Sequence, residues 1–226
     1  MTNIVECYSI ISTKIDEKIT KWSKEKISIE NLVFFLKNIL KIDAILDKEI
    51  INSYERDYSN LPGNADVLCR PVNDIECSII LRCCRIAKIN ITISAGRTNL
   101  DGSATPNGGV VLSMEKMISP SVKVNMKNKT VSSPVGIYLE EMREEVLLQS
   151  KKKLFYPVDP TSRNDAMVGG TISCNASGFI PGVEGATRFW TEKIKFLLPN
   201  GYMFSCKRGE YISTDRCFIF YVIRMK

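Results

Sequence analysis

Two stretches of small and glycine residues, at 91–113 and 155–178, limit most strongly what this chain can fold into. The first, ITISAGRTNLDGSATPNGGVVLS, leaves a run of β-branched residues, enters a loop and returns to a second apolar run. Such a chain turns tightly between two strands, and its glycines permit close backbone approaches that a side chain forbids. Backbone N–H groups in a loop of this kind can point inward as an anion-binding nest. The spacing is neither G-x-x-x-x-G-K-S/T nor G-x-G-x-x-G, which excludes the two commonest nucleotide-binding loops. Taken alone, the stretch reads equally well as a surface loop of turn formers. In the second, FYPVDPTSRNDAMVGGTISCNASG, Pro157 and Pro160 stiffen the chain around Asp159, and Gly169-Gly170 allows another close approach. Thr171, Ser173, Asn175 and Ser177 then cluster hydroxyl and amide groups; the alternative is a helix start capped at Thr171 between ordinary loops.

The elements around these stretches follow from apolar spacing. Residues 1–60 read as a charged, helical segment: Ser28 caps an amphipathic run through Ile29, Leu32, Val33, Leu36 and Leu40, and Asp47 opens a short helix through Ile50 and Ile51. YSNLPGN at 58–64 is rich in turn formers, and the main domain is placed at 61–226. There, Val67–Leu68 reads as a strand, and Asn73 with Glu76 is a capping-box pair opening a helix through Ile86. Ile89–Ser94 is a second strand, so one parallel βαβ unit is expected. Short strands follow at 110–114, 122–126 and 129–133, then a helix from Ile137 to Gln149 and a strand LFYPV at 154–158. The run 189–207 alternates around Pro199-Asn200-Gly201, a hairpin signal. A small parallel lobe followed by a larger, mostly antiparallel sheet lobe with flanking helices is an α+β fold.

Composition narrows the chemistry. The chain has no histidine, which removes Ser-His-Asp and Cys-His nucleophile pairs, His-ligated zinc and any His general base. Its eight cysteines include no C-x-x-C pair, so no metal site is expected. No signal-peptide pattern opens the sequence, which points to a cytoplasmic protein with free buried thiols. The longest apolar runs, LVFFL and FIFYVI, fall far short of the ~20 residues of a membrane span. The net charge of +6 comes with lysine clusters but no recognition motif or interleaved aromatics, so no nucleic-acid partner is expected.

Together, and in this order, the two stretches resemble the FAD-binding domain of the vanillyl-alcohol oxidase family, also called the para-cresol methylhydroxylase (PCMH) type. The branch they resemble most is the D-lactate dehydrogenase, glycolate oxidase and alkyl-dihydroxyacetone-phosphate synthase group. SAGRTNLDGSA keeps Thr98, Leu100, Gly102 and Ala104 of the family loop R-G-x-G-T-S-L-x-G-G-A. It departs from that loop at Ser94, Arg97 and Ser103. The second stretch matches the family pattern at Phe155, Pro157, Asp159, Pro160, Ser162, Gly169, Gly170, Ile172, Asn175, Ala176 and Gly178.

The resemblance implies a two-lobed fold around an extended FAD. Ser94, Ala95, Gly96, Arg97, Thr98, Asn99, Leu100, Gly102 and Ser103 would line it from one lobe. Pro157, Asp159, Gly169, Gly170, Thr171, Ser173, Asn175, Ala176 and Gly178 would line it from the other. Backbone N–H groups from Gly96 to Ser103 would hold the pyrophosphate, with Arg97 either adding a charge-assisted bond or lying solvated at the surface. Without histidine a histidyl flavin link cannot form, and no cysteine is marked for a thioether, so the FAD is expected to be noncovalent. The implied activity is hydride transfer from a small 2-hydroxy acid to the flavin. No catalytic residue can be assigned, because the His and Arg of the family's substrate domain have no counterpart here. The tail after Ser213 does not resemble the family's continuation, so a truncated product, a remnant without turnover, or a flavin subunit completed by a separate substrate-domain subunit is expected.

Overall fold

A computed structural model describes residues 4–223. The chain opens with β1 (Ile4–Ser9), then α1 (Thr13–Trp22) and α2 (Ile29–Phe34), which runs on through a wider turn at Phe35–Ile39. Ser28 caps α2 as the sequence suggests, its hydroxyl accepting from the Asn31 N–H at 3.1 Å. After β2 (Ala44–Ile45), the Asp47 carboxylate accepts from the Glu49 N–H at 2.9 Å and starts α3 (Lys48–Asn52). Residues 1–60 were expected to be helical, but β1 and β2 also lie in this segment. Their partners are far away in sequence, so no local periodicity marks them.

The first sheet positions the functional site. It contains β3 (Val67–Cys69), β4 (Ile91–Ser94) and β5 (Val110–Ser113) in the order β2-β3-β5-β4, with β3 and β4 both parallel to β5. The expected βαβ unit is present as β3, α4 (Asp74–Ala87) and β4, with β5 inserted between its two strands. Asn73 accepts from the Glu76 N–H at 2.9 Å, and Glu76 reaches back to the Val72 N–H at 3.0 Å. Every residue of β3 and β5 is buried. The apolar cluster beneath the sheet joins Trp22, Leu32 and Leu36 to Val67, Ile80 and Leu112, so both sides of residue 60 contribute to it.

The chain continues through the hairpin β6 (Lys123–Asn125) and β7 (Thr130–Ser132), α5 (Leu139–Gln149), α6 (Val168–Ser173) and α7 (Thr187–Trp190). It ends in β8 (Lys193–Leu197), β9 (Tyr202–Lys207) and β10 (Ile219–Ile223). The hairpin around Pro199-Asn200-Gly201 forms as expected, but Phe189 and Trp190 belong to α7 rather than to its first strand. The second sheet has the order β10-β1-β9-β8, antiparallel except where β1 runs alongside β10. β6 and β7 stay apart as a two-stranded sheet. LFYPV forms no strand: Pro157 has no N–H to give a ladder, and Leu154 instead bonds back to the Ser150 hydroxyl at the end of α5. The fold is α+β with one mostly parallel sheet, in which β2 alone is antiparallel to its neighbour, and one mostly antiparallel sheet.

Candidate functional site

The two glycine-rich stretches, distant in sequence, meet in space. β4 and β5 are strands of the parallel sheet, and the loop joining them leaves its edge at Ser94. The Ser94 carbonyl still accepts from the Met114 N–H at 2.8 Å. Two residues on, Gly96 backs directly onto the second stretch: a Cβ there would lie 2.0 Å from the Asp165 carbonyl oxygen. A Cβ on Gly170 would lie 3.3 Å from the Cβ of Ala95 and meet nothing else within contact distance. The meeting lines one side of an open groove of about 1670 Å³ between the two sheets. That volume exceeds the usual range for one drug-sized ligand, ~300–1,000 Å³.

Within the loop, Ala95, Gly96, Arg97, Thr98, Asn99, Leu100 and Ser103 line the groove. The backbone N–H groups from Gly96 to Leu100 donate to no acceptor among the described residues. A run of amides without protein acceptors, in residues that line a groove, is available to bind an anion. Two of the loop's polar side chains are engaged within the protein. Asn99 donates to Asp57 at 2.6 Å and to Asp101 at 2.8 Å. The Arg97 guanidinium lies 4.7 Å above the Tyr54 ring and donates to the Ser94 hydroxyl at 3.4 Å. Arg97 also has φ of 55°, the left-handed conformation in which the resembled loop has glycine.

From the second stretch, Gly169, Gly170, Thr171, Ser173 and Ala176 line the groove. Gly169 and Gly170 sit in the first turn of α6, whose start at Val168 is about one turn earlier than a cap at Thr171 would set it, so the glycines lie in the helix and not before it. The Gly169 N–H donates to the Val135 carbonyl at 2.9 Å, and the Thr171 hydroxyl turns back to the Val168 carbonyl at 2.8 Å. The structure places Ser94, Gly102, Pro157, Asp159, Asn175 and Gly178 outside the groove lining. Ser94 is buried at the strand end, and Asn175 caps the chain at the Arg188 N–H at 2.9 Å. Gly178 packs on Asp159, where a Cβ would approach the Asp159 nitrogen to 2.5 Å.

The groove also takes Met114, Met117 and Val135 from between the stretches, Met167 from the second stretch, and Ile194, Phe196 and Leu197 from β8. The sequence carried no signal for these apolar positions beyond their hydrophobicity. No group of three or more His, Cys, Asp or Glu suited to a metal is present among the described residues.

The FAD binding domain family matches residues 65–207, which include the glycine loop, α6 and the groove lining. This chain belongs to the FAD-binding domain family. Curated relatives include a D-lactate dehydrogenase of Anaerostipes hadrus, 28% identical over 185 residues, which cover 80% of this chain and 38% of the relative. Another is the glycolate oxidase subunit GlcD of Bacillus subtilis, 29% identical over 154 residues, covering 67% of this chain and 32% of that protein. Among solved structures, an alkyldihydroxyacetonephosphate synthase superimposes with a TM-score of 0.67 at 18% identity, over 82% of this chain and 36% of that one. A glucooligosaccharide oxidase of Acremonium strictum gives the same score at 16% identity, covering 79% and 36%. These neighbours share the PCMH-type fold. The chain spans about a third of the length of the relatives it matches.

Proposed function

We propose that this chain binds FAD noncovalently in the groove and serves as the flavin-holding part of an oxidoreductase acting on small 2-hydroxy acids. The observation that carries the reading is the run of N–H groups from Gly96 to Leu100 without protein acceptors, in residues that line the groove where the stretches meet. A doubly charged pyrophosphate fits such a surface without a lysine, because several N–H dipoles share the charge. Ala95 and Gly170 leave room for the cofactor's length, while Met114, Met167 and Phe196 supply apolar walls that exclude water. When bound, FAD supplies a ring able to accept a hydride from the substrate carbon. Residues 61–226 form the cofactor-binding unit in this reading, with 1–60 docked against it.

Two features complete the proposal. The relatives named D-lactate dehydrogenase and glycolate oxidase subunit suggest the 2-hydroxy-acid substrate class. A cytoplasmic setting agrees with free cysteines, five of which (Cys7, Cys69, Cys77, Cys83 and Cys84) are buried. No helix among the described residues is long and apolar enough to cross a membrane.

A second reading, a flavin-binding subunit without turnover of its own, is favoured by the absence of histidine, the usual general base near neutral pH. A separate substrate-domain subunit would then complete the enzyme. The test is an absorption spectrum of the purified chain with added FAD, followed by acid precipitation. A perturbed flavin spectrum and a colourless pellet are expected; no perturbation sinks the binding, and a yellow pellet sinks the noncovalent assignment. Bleaching of the bound flavin by D-lactate or glycolate separates the readings, since the second predicts none.

A further inference from the structure

The turn-rich segment at 57–64 lies before the region matched by the family, yet it runs alongside the glycine loop for most of the loop's length. Asp57 is 4% exposed as a residue, and its carboxylate accepts from donors in both segments. One oxygen accepts from the Ser59 N–H at 2.9 Å and from the Ser59 hydroxyl. The other accepts from Asn99 Nδ2 at 2.6 Å and from the Ala104 N–H at 3.1 Å. No Lys or Arg pairs with it among the described residues.

Further bonds extend the contact. The Tyr58 N–H donates to the Arg97 carbonyl at 3.1 Å, the Asn64 N–H to Pro106 at 3.0 Å, and the Gly108 N–H to Asn64 at 2.8 Å. Gly102, with φ of 76°, sits so close to Leu61 that a Cβ would reach its side chain at 2.7 Å.

We propose that Asp57 is a positioning residue through which 57–64 braces the glycine loop, holding the amides from Gly96 to Leu100 in their cofactor-binding arrangement before FAD arrives. The proposal rests on the FAD reading above. A loop with so many unpaired amides has little of its own to hold it in one shape. A buried carboxylate that accepts from both Asn99 and Ala104 fixes the loop's far limb, and Tyr58 fixes the near limb at Arg97. Preformed amides need no ordering when the ligand binds, and that saving appears as affinity.

The test uses Asp57→Asn, which keeps the shape but turns one acceptor into a donor facing other donors. Hydrogen exchange of the ligand-free chain should show the bonded amides at the contact, Ser59, Ala104 and Thr105, exchanging at least roughly 10-fold faster, with α4 unchanged. FAD titration should show affinity falling by a similar factor. Ser150→Ala is the control: its hydroxyl is buried at the end of α5 and bonds Leu147 and Leu154, far from the loop. It should lower Tm and leave FAD affinity alone. If Asp57→Asn does not fold, Ser59→Ala should shift exchange and affinity in the same direction by a smaller factor. Unchanged exchange in the variants overturns the brace, and faster exchange with unchanged affinity overturns its purpose. A wild-type chain that does not bind FAD sinks the underlying reading and the proposal with it, and the wild-type titration identifies that case.

Discussion

Glycines of the two stretches look alike in sequence and answer different physical needs. Gly96 is required by the protein itself, because the second stretch's backbone occupies the place of its missing Cβ at 2.0 Å. Gly170 is not, because only the Ala95 methyl stands near, and the rest of its surroundings are open groove. The first stretch gives its glycine to packing and its amides to the groove, whereas the second gives the groove the bare surface of a short helix. Glycine enrichment therefore marks both the scaffold and the ligand surface, and only geometry separates them.

Substituting the two glycines tests this contrast most sharply. Gly96→Ala should cost about 3 kcal/mol or prevent folding, since neither backbone can give way cheaply; denaturant unfolding reads it. Gly170→Val should leave stability within about 1 kcal/mol and weaken FAD binding by roughly 100-fold, about 2.8 kcal/mol. If Gly170→Val instead unfolds the chain and Gly96→Ala only weakens FAD binding, the assignment is reversed.

Cysteines offer a second comparison. Burial pushes Cys77 and Cys84 up to about 12, so neither reacts readily near neutral pH. Cys174 is exposed, lines the groove at the end of α6, and is raised only modestly, by partial burial and by Asp101. A thiol reagent at mildly alkaline pH should label Cys174 well ahead of the buried cysteines, and FAD should slow that labelling several-fold. Labelling of Cys174 that ignores FAD would place the cofactor away from the second stretch.

Beneath the first stretch lies a charged network: Asp43 pairs with Arg70 at 2.9 Å and Lys116 at 2.7 Å, and Arg70 reaches Glu115 at 3.2 Å. Burial pushes the Asp43 carboxyl up, but the hydrogen bonds and charges of Lys116 and Arg70 outweigh it, leaving it below the ordinary range. A depressed folded-state pKa means that the contribution is complete above the unfolded value and fades as pH falls through the folded one. Asp43→Asn should therefore cost about 1 kcal/mol at neutral pH, and the difference from wild type should shrink in acid. A loss that stays constant with pH would show that the charge is not the cause. The smallest effect is expected at Arg97, where glycine would relieve the left-handed backbone but forfeit the stacking on Tyr54. Arg97→Gly should shift Tm little, within about 1 kcal/mol either way.

The parallel unit was legible in the sequence because its signals are local. Asn73 and Glu76 announce the start of α4, and β-branched runs announce β4 and β5. The β1–β10 pairing was not, because Cys7 opposite Val222 depends on contacts across nearly the whole chain. LFYPV has the aromatic and β-branched content of a strand, but Pro157 removes the N–H that a ladder needs. At the site, both glycine stretches could be located from sequence, although the side-chain partners of Asn99 and Arg97 could not. The segment at 57–64 read only as a boundary, since turn formers announce a break and say nothing of what the turn leans against.

Hydrogen exchange at Gly96 to Leu100, with and without saturating FAD, tests the central claim most directly. These amides should exchange quickly in the free chain, since they lack protein acceptors, and slow markedly when FAD binds. Amides in β3 and β5, buried in the parallel sheet, should stay protected in both states. FAD binding confirmed by absorbance with no change at Gly96 to Leu100 would contradict the account, because the cofactor's phosphates would then be held somewhere else.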